Sequence, residues 1–368
     1  MNIIHTVLHC GYAAFVRIKE LIKLPFEREL YRGECYYPEY SEYRQNNLAV
    51  FCAQSVNILR YGKPNKFYFM YGFDIKGFRN KKEYVDYELF MKRRSKCNNR
   101  FGLMSAVSVL RNKDLFGIVA DAYSISTPQN IGIVSGSKIY LYETQREEDI
   151  DKFIQENNID AFAKKIDGEC ADGVFSVKSD GGQVLVDNKV VDKLSDKVSG
   201  GIFLLQKRLS NQHSDINKIY PLSVNTIRLI TVTNPKTGIP EVMTAVLRVG
   251  ASGNYVDNWA VGGLSIGIDI STGKLTKYGF YKPGFGTKAD RHPDTGVVFE
   301  GFNIPYFKEA AEMALEFHRR LRNIHSVGWD ISVTEDGPCF IEGNDNWEIS
   351  FLQVSNHGYR KDFDRLFS

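Results

Sequence analysis

The sequence has no long apolar run. No stretch reaches the roughly 18–20 apolar residues that a membrane-spanning helix needs. The first apolar positions are broken by His5, His9 and Arg17, and no small-residue cleavage site follows them, so a secretory signal is not expected either. Cysteine is sparse. Cys10, Cys35, Cys52, Cys97, Cys170 and Cys339 are scattered, without a C-x-x-C pair or zinc-ligand spacing. That excludes a disulfide framework and a zinc module, and suits free thiols in a reducing, cytoplasmic setting. Internal repeats, low-complexity tracts and any recognised nucleic-acid module are missing, and nucleic acid is not an expected partner. No Ser, Cys or His stands in a recognisable nucleophile setting.

What is present is a 368-residue chain, long enough for two or three packed subdomains. Its 43% hydrophobic and 25% charged residues are those of a folded globular protein. The net charge of +3 hides an asymmetry: residues 1–112 hold 19 basic and 10 acidic side chains, and the remainder 28 and 34. This fits either an ordinary solvated surface or a front half that meets an anionic partner, such as phospholipid head groups or a pyrophosphate-linked sugar.

Residues 3–24 carry apolar side chains at helical spacing with Arg17, Lys19 and Lys23 interleaved, and Pro25 ends the run. Such a helix either packs its stripe on the protein body or lies on a membrane surface through residues 1–24. Residues 26–112 read as mostly helical. From Lys113 onward the pattern changes to short β-branched runs separated by turns. Strands are expected at 131–134, 138–142, 161–165, 174–178, 184–186 and 202–205, and helices at 149–157 and 304–321, the latter with Pro305 in its first turn. Longer strands are expected at 226–233, 241–249, 264–270, 275–279, 326–333 and 338–342. The whole is an α+β chain with mostly antiparallel pairing in its last third.

The strongest chemical signal lies in that last hairpin. Gly328-Trp329-Asp330-Ile331 is followed by the Glu335-Asp336-Gly337 turn and then Phe340-Ile341-Glu342-Gly343-Asn344. Antiparallel pairing brings Asp330 opposite the 342–344 end, and alternation puts Glu342 and Asn344 on one face. Two carboxylates and an amide oxygen in one pocket suit Mg²⁺, which takes oxygen ligands and shares them with nucleotide phosphates.

At these residues the sequence resembles the ATP-grasp superfamily, in particular its sugar-transfer-associated branch, over about residues 110–355. The resemblance implies an ATP-grasp fold, with two α+β subdomains gripping ATP behind a mainly helical N-terminal region. Its expected divisions are 1–110, 111–205 and 206–368. It also implies that Asp330, Glu342 and Asn344 hold magnesium, two ions in all. Asn112-Lys113-Asp114 and Ser126-Thr127-Pro128 resemble the segment that starts the nucleotide site, with Lys113 on phosphate. Ala161-Phe162-Ala163-Lys164-Lys165 resembles the strand whose lysine bridges phosphates. Lys164 is the match, though a slip by one to Lys165 stays open. The loop 167–173, with Gly168 and Gly173, resembles the phosphate-covering loop. Gln206, Lys207 and Leu209 fall in the hinge that holds adenine. Arg228, in Val224-Asn225-Thr226-Ile227-Arg228, and Arg248 become the catalytic cations at the γ-phosphate or acyl phosphate. His213, Asn258 and His292 become candidates for substrate contact.

The implied chemistry is attack of a substrate carboxylate on the γ-phosphate of ATP, then displacement of phosphate from the acyl phosphate by an amine. The branch implies an amine joined to a sugar acid in polysaccharide or capsule synthesis, with a lipid-linked or nucleotide-linked sugar as one candidate substrate. An amino-acid ligase without sugar, a small-molecule kinase and a non-enzymatic nucleotide-binding module remain as alternatives.

Overall fold

The computed structural model describes residues 3–99, 106–168 and 173–368, with residues 3–10 and Asp180 described by backbone alone. Two antiparallel sheets organise the chain. The first contains β1 (Asn130–Ser135), β2 (Lys138–Leu141), β3 (Arg146–Asp149), β4 (Asp160–Lys165), β5 (Val174–Asp180), β6 (Gln183–Val186), β7 (Lys189–Val191) and β8 (Ile202–Lys207), in the order β3-β2-β1-β8-β4-β5-β6-β7. Alternation along these strands sends Val134, Ala161, Ala163, Val177 and Leu205 to a core that includes Ile150 and Ile154 of helix Ile150–Glu156. Phe162, Lys164 and Gln206 are out of phase with that set and face the other way.

The second sheet contains β9 (Thr226–Thr233), β10 (Pro240–Val249), β11 (Leu264–Asp269), β12 (Lys274–Tyr281), β13 (Lys288–Ala289), β14 (Ser326–Thr334) and β15 (Gly337–Asn344), in the order β13-β12-β11-β10-β9-β14-β15. Ile227 and Leu229 of β9 share one core with Trp329 of β14 and with Phe317 of helix Phe307–Arg320. The intervening Ile230 and Val232 join a second core, on the opposite face.

That opposite face is covered by the N-terminal region. Phe90 is fully buried, with its ring centroid 4.7 Å from that of Trp347 and 5.9 Å from that of Phe367. Asn98 Nδ2 donates to the Asp345 carbonyl at 3.1 Å, and its Oδ1 accepts from the Ser326 amide at 3.1 Å. Arg111 makes a two-pronged contact with Asp345 at 2.9 and 2.8 Å. Helix Asn47–Tyr61 starts where Asn46 Oδ1 accepts from Ala49 N, and it stops at Gly62, whose φ of 92° favours glycine.

Four expectations change. Residues 26–112 are less helical than their composition suggests: between Asn47–Tyr61 and Tyr87–Asn98, Tyr68, Phe69, Met70, Tyr71 and Phe73 fold as buried aromatic turns with Gly72 and Gly77 at positive φ. The β3 strand was not foreseen, because all four of its residues are exposed and charged and show no alternation. Pro305 precedes the helix rather than opening it; Tyr306, at φ 54°, stands at the N-cap. In the first helix Phe15, Ile18 and Ile22 of the apolar stripe stay exposed, while Leu24 just after it is buried. The expected polar break near residues 98–102 and residues 169–172 of the expected phosphate loop lie partly or wholly outside the described residues.

Phe90→Ala should remove about 3–5 kcal/mol from the unfolding free energy in a urea titration that follows the second sheet. An unchanged midpoint would mean that the N-terminal region does not share that sheet's core.

Candidate active site

Register builds the site. On the face opposite Leu229 and Trp329, Val246 of β10 pairs with Arg228 of β9, Arg228 with Asp330 of β14, and Asp330 with Glu342 of β15. One arginine–carboxylate pair and a second carboxylate thus line up across adjacent strands. Glu342 reaches this row through a bulge. The pairing runs Val333–Pro338, Ser332–Cys339 and Ile331–Phe340, then jumps to Asp330–Glu342, so Ile341 is the extra residue. Without it Ile341 would oppose Asp330 and Glu342 would turn toward the apolar core, since a one-residue slip inverts every side chain.

The Arg228 guanidinium grips Asp330 with both forks: Nε donates to Oδ1, and Nη2 to Oδ2 at 2.9 Å. Arg248 Nη2 donates to the same Oδ2 at 3.0 Å and to Thr226 Oγ1 at 2.8 Å. Thr226 Oγ1 in turn donates to Asp257, which lies 3.5 Å from Arg248. All four charged groups are largely buried. Burial pushes the Asp330 carboxyl up, but Arg228 and Arg248 outweigh it and hold its pKa below the usual value. Burial opposes the charge of Arg248; Asp257, Asp330 and Glu342 overcome that and hold its proton more firmly. Glu342 is raised by burial and then by the charge of Asp330 beside it. Its Oε1 accepts from Asn344 Nδ2 at 3.1 Å.

The first sheet faces this row with lysines. Lys164 Nζ donates to Gln206 Oε1 at 2.6 Å, and Gln206 is fixed by Asn130 Oδ1 at 2.8 Å. Burial lowers the Lys164 pKa to about 8, with Glu342 opposing the shift and Lys113 adding to it. Charges from the two sheets therefore act on one another across a cleft. Lys165 packs its stem where a Cβ on Gly173 would meet it at 2.8 Å, and its Nζ lies 4.0 Å from Asp167. Lys113 opens helix Lys113–Ala122, capped by Asn112 Oδ1, and its Nζ donates to the Gly168 carbonyl at 2.6 Å. In the hinge, the amides of Lys207 and Arg208 are engaged by the carbonyls of Gln129 and Asp160 at 2.8 and 2.9 Å, and Leu209 follows directly.

The three residues expected at substrate have structural hydrogen bonds. His292 is fully buried; Nε2 bonds with the Gly250 carbonyl at 2.8 Å and the ring stacks on Tyr220. His213 Nδ1 caps helix Ser214–Ile219, beside the Glu335 turn. Asn258 caps the short turn Trp259–Val261 by accepting from Ala260 N. Its neighbour Asp257 is the one that reaches Arg248. The Gly-rich run around 257–263 signalled a close approach, but not which residue makes it.

The sugar-transfer associated ATP-grasp family model matches residues 92–362. The chain belongs to that family. Members of the ATP-grasp family bind ATP with magnesium. No curated protein matches the sequence. Among solved structures, the D-Ala:D-Ser ligase of Enterococcus faecalis is similar at 11% identity and a TM-score of 0.42, over 71% of this chain and 62% of that one. The D-alanine–D-alanine ligase of Bacillus anthracis is similar at 12% and 0.40, over 74% and 73%. The N5-carboxyaminoimidazole ribonucleotide synthetase of Thermotoga maritima is similar at 11% and 0.37, over 68% and 48%. The chain thus spans less than two thirds of the first and third of these proteins.

The donor set fits magnesium: Asp330 and Glu342 pair across β14 and β15, Asn344 lies two residues on, and all three carry hard oxygens. Asp330 is engaged by two guanidinium groups through three hydrogen bonds.

MgATP affinity should fall as the pH rises through about 8, where Lys164 loses its charge. Lys164→Arg should flatten that limb in a calorimetric titration. A wild-type affinity that is level across this range would remove Lys164 from the phosphate site.

Proposed function

We propose that the chain is an ATP-dependent carboxylate–amine ligase that works through an acyl phosphate and joins an amine to a sugar acid in polysaccharide synthesis. One observation supports it above the rest: Lys113 at a helix start and Lys164 of the first sheet act on the same charges as Arg228, Arg248, Asp330, Glu342 and Asn344 of the second. In this reading Lys113 and Lys164 neutralise the nucleotide phosphates, and Gly168 and Gly173 flank the loop over them. Gln206, Lys207 and Leu209 hold the adenine. Asp330, Glu342 and Asn344 hold magnesium, which spreads the charge of the transferring phosphoryl group when bound. Arg228 and Arg248 exchange Asp330 for the γ-phosphate, and then for the acyl phosphate. Catalysis is positioning and electrostatics, so no side-chain nucleophile is required.

The N-terminal helices support a second part of the reading, contact with an anionic membrane surface. Helix Ile3–Lys23 is tied to the body by polar groups: Arg17 Nε donates to the Leu59 carbonyl at 2.8 Å, and Glu20 pairs with Lys63 at 2.7 Å. Among its described side chains Phe15 and Ile22 are 61% and 64% exposed; just beyond the helix Phe26 is 83% exposed and Leu24 is fully buried. The neighbouring helix Asn47–Tyr61 likewise exposes Leu48, Val56 and Leu59. Lys19 and Lys23 lie among these residues. A basic apolar surface of this kind suits peripheral binding, whereas a two-fold contact with a second copy would bring like charges together. Among the described residues, no helix is long and apolar enough to cross a membrane.

ADP release from MgATP should require a sugar acid together with an amine, and should vanish in Glu342→Ala. A stable phosphate ester formed without amine would replace the ligase by a kinase. Phe15→Asp/Ile22→Asp should abolish sedimentation with phosphatidylcholine–phosphatidylglycerol vesicles. Sedimentation equal to wild type, or a dimer that the pair of changes dissolves, would overturn the membrane reading.

A further inference from the structure

After Asn344 the chain turns back across the face that carries the site. Trp347 rests on β14: a Cβ on Gly328 would meet its Cβ at 2.8 Å, and its indole N–H donates to Ser326 Oγ at 3.1 Å. Farther along, Ser355 Oγ donates to the Ser265 carbonyl of β11 at 3.0 Å, and Thr276 Oγ1 of β12 donates to the Ser355 carbonyl at 3.2 Å. Between these anchors the segment passes over β9 and β10, and Glu348 lies on that crossing. The N-terminal region pins it from behind. Arg94 donates to the Trp347 carbonyl, and Gln353 bridges the Val85 backbone, accepting at 2.8 Å and donating at 3.0 Å.

Glu348 Oε1 has no solvent contact and no hydrogen-bond partner among the described residues. The charged groups that act on it are Lys282, past the end of β12, then Arg228 of the site and Arg94 of the N-terminal region. The phenols of Tyr71 and Tyr87 also sense it. A buried acceptor left without a donor is destabilising, so it persists most readily where a ligand supplies the donor. A single carboxylate is not a metal site, and the unpaired Oε1 calls for a hydrogen-bond donor, which a metal ion does not supply. An ammonium group suits it. Lys282, opposite in charge and not paired with Glu348, suits a carboxylate.

We propose that Glu348 and Lys282 form the amine subsite, Glu348 receiving the ammonium and Lys282 the carboxylate of a zwitterionic α-amino acid, next to Arg228. This rests on the ligase reading and names its amine. Burial raises the Glu348 carboxyl to about 7, which agrees with a group whose charge lacks a fixed partner. The amino acid's nitrogen then lies near the Arg228 end of the cleft, where the acyl phosphate forms. The ammonium first passes a proton to the Glu348 carboxylate. The free amine then attacks the acyl carbon, the C–N bond forms as the carbon–oxygen bond to phosphate breaks, and the second nitrogen proton leaves with the phosphate.

The test is direct binding to the full chain loaded with MgADP. A mixture of the twenty amino acids is surveyed by saturation-transfer NMR, and those that bind are titrated by calorimetry. At least one should bind, and its N-acetyl derivative should not. Glu348→Gln and Lys282→Ala should each weaken it, the former roughly ten-fold or more, with MgADP affinity kept as the check on folding. Three results would each overturn the subsite: no amino acid bound by wild type, equal binding by Glu348→Gln, or equal binding of the N-acetyl derivative. ADP formation is read separately. Binding through Glu348 without ADP formation with any acid would keep the subsite and end the ligase reading. Acid-and-amine-dependent ADP formation unaffected by Glu348→Gln would do the reverse.

Discussion

The buried contact of Asp330 with Arg228 and Arg248 is the constraint around which the cleft is arranged. A carboxylate on the middle of a sheet face carries a desolvation cost that only close, well-oriented cations offset. Here two guanidinium groups supply them, one from each of two neighbouring strands. The arrangement is balanced while no other anion is present. Under the proposed function it is also exchangeable, because a phosphate would offer the same arginines an equivalent set of oxygens and free Asp330 for a cation, which would link nucleotide binding to metal binding.

That contact depends on backbone register more than on the identity of its members. Arg228 and Asp330 meet because β9 and β14 pair them directly. Glu342 joins them because of the bulge at Ile341, and a second bulge, at Met243, sets the parity of β10 so that Arg248 falls on the same face. Both bulges act as parity switches that allow long apolar alternation on the core side while delivering charges to the other. Deleting Ile341 would disturb the site more than many substitutions within it.

This explains what was legible in the sequence. The long strands were legible because their apolar alternation is strong, and the Asp330–Glu342 neighbourhood because the Glu335-Asp336-Gly337 turn marks a hairpin, although the bulge at Ile341 sets its final pairing. Lys113 came from the resemblance of its segment to the family. The bulges were not legible, since Ile341 and Met243 look like ordinary strand residues. Asp257 and Glu348 were missed because each gains its role from a long-range neighbour: Arg248 for one, and for the other the crossing over β9. The β3 strand failed for the opposite reason, being a wholly charged edge with no periodicity to read. The first helix showed an amphipathic pattern that was read correctly, but the pattern alone does not say which way the apolar side faces. Arg17 and Glu20, polar residues engaged with the body, decide that.

The N-terminal region carried no recognisable chemistry in its sequence, yet it bears on the acceptor side of the cleft. It is not a detached lid: Phe90, Asn98 and Arg111 join it to the strand that ends in Asn344 and to the segment after it. The nucleotide side is built from lysines and a sheet that any phosphate-gripping fold could share. The opposite wall is built from the 345–355 crossing and the helices and aromatic turns that press it onto the second sheet. Variation in those helices would shift Glu348 relative to Arg228 without touching a phosphate contact. Under the proposed function, substrate choice would change in this part of the chain while the phosphate contacts stay fixed, which is a physical reason for the front region to stay joined to the second sheet.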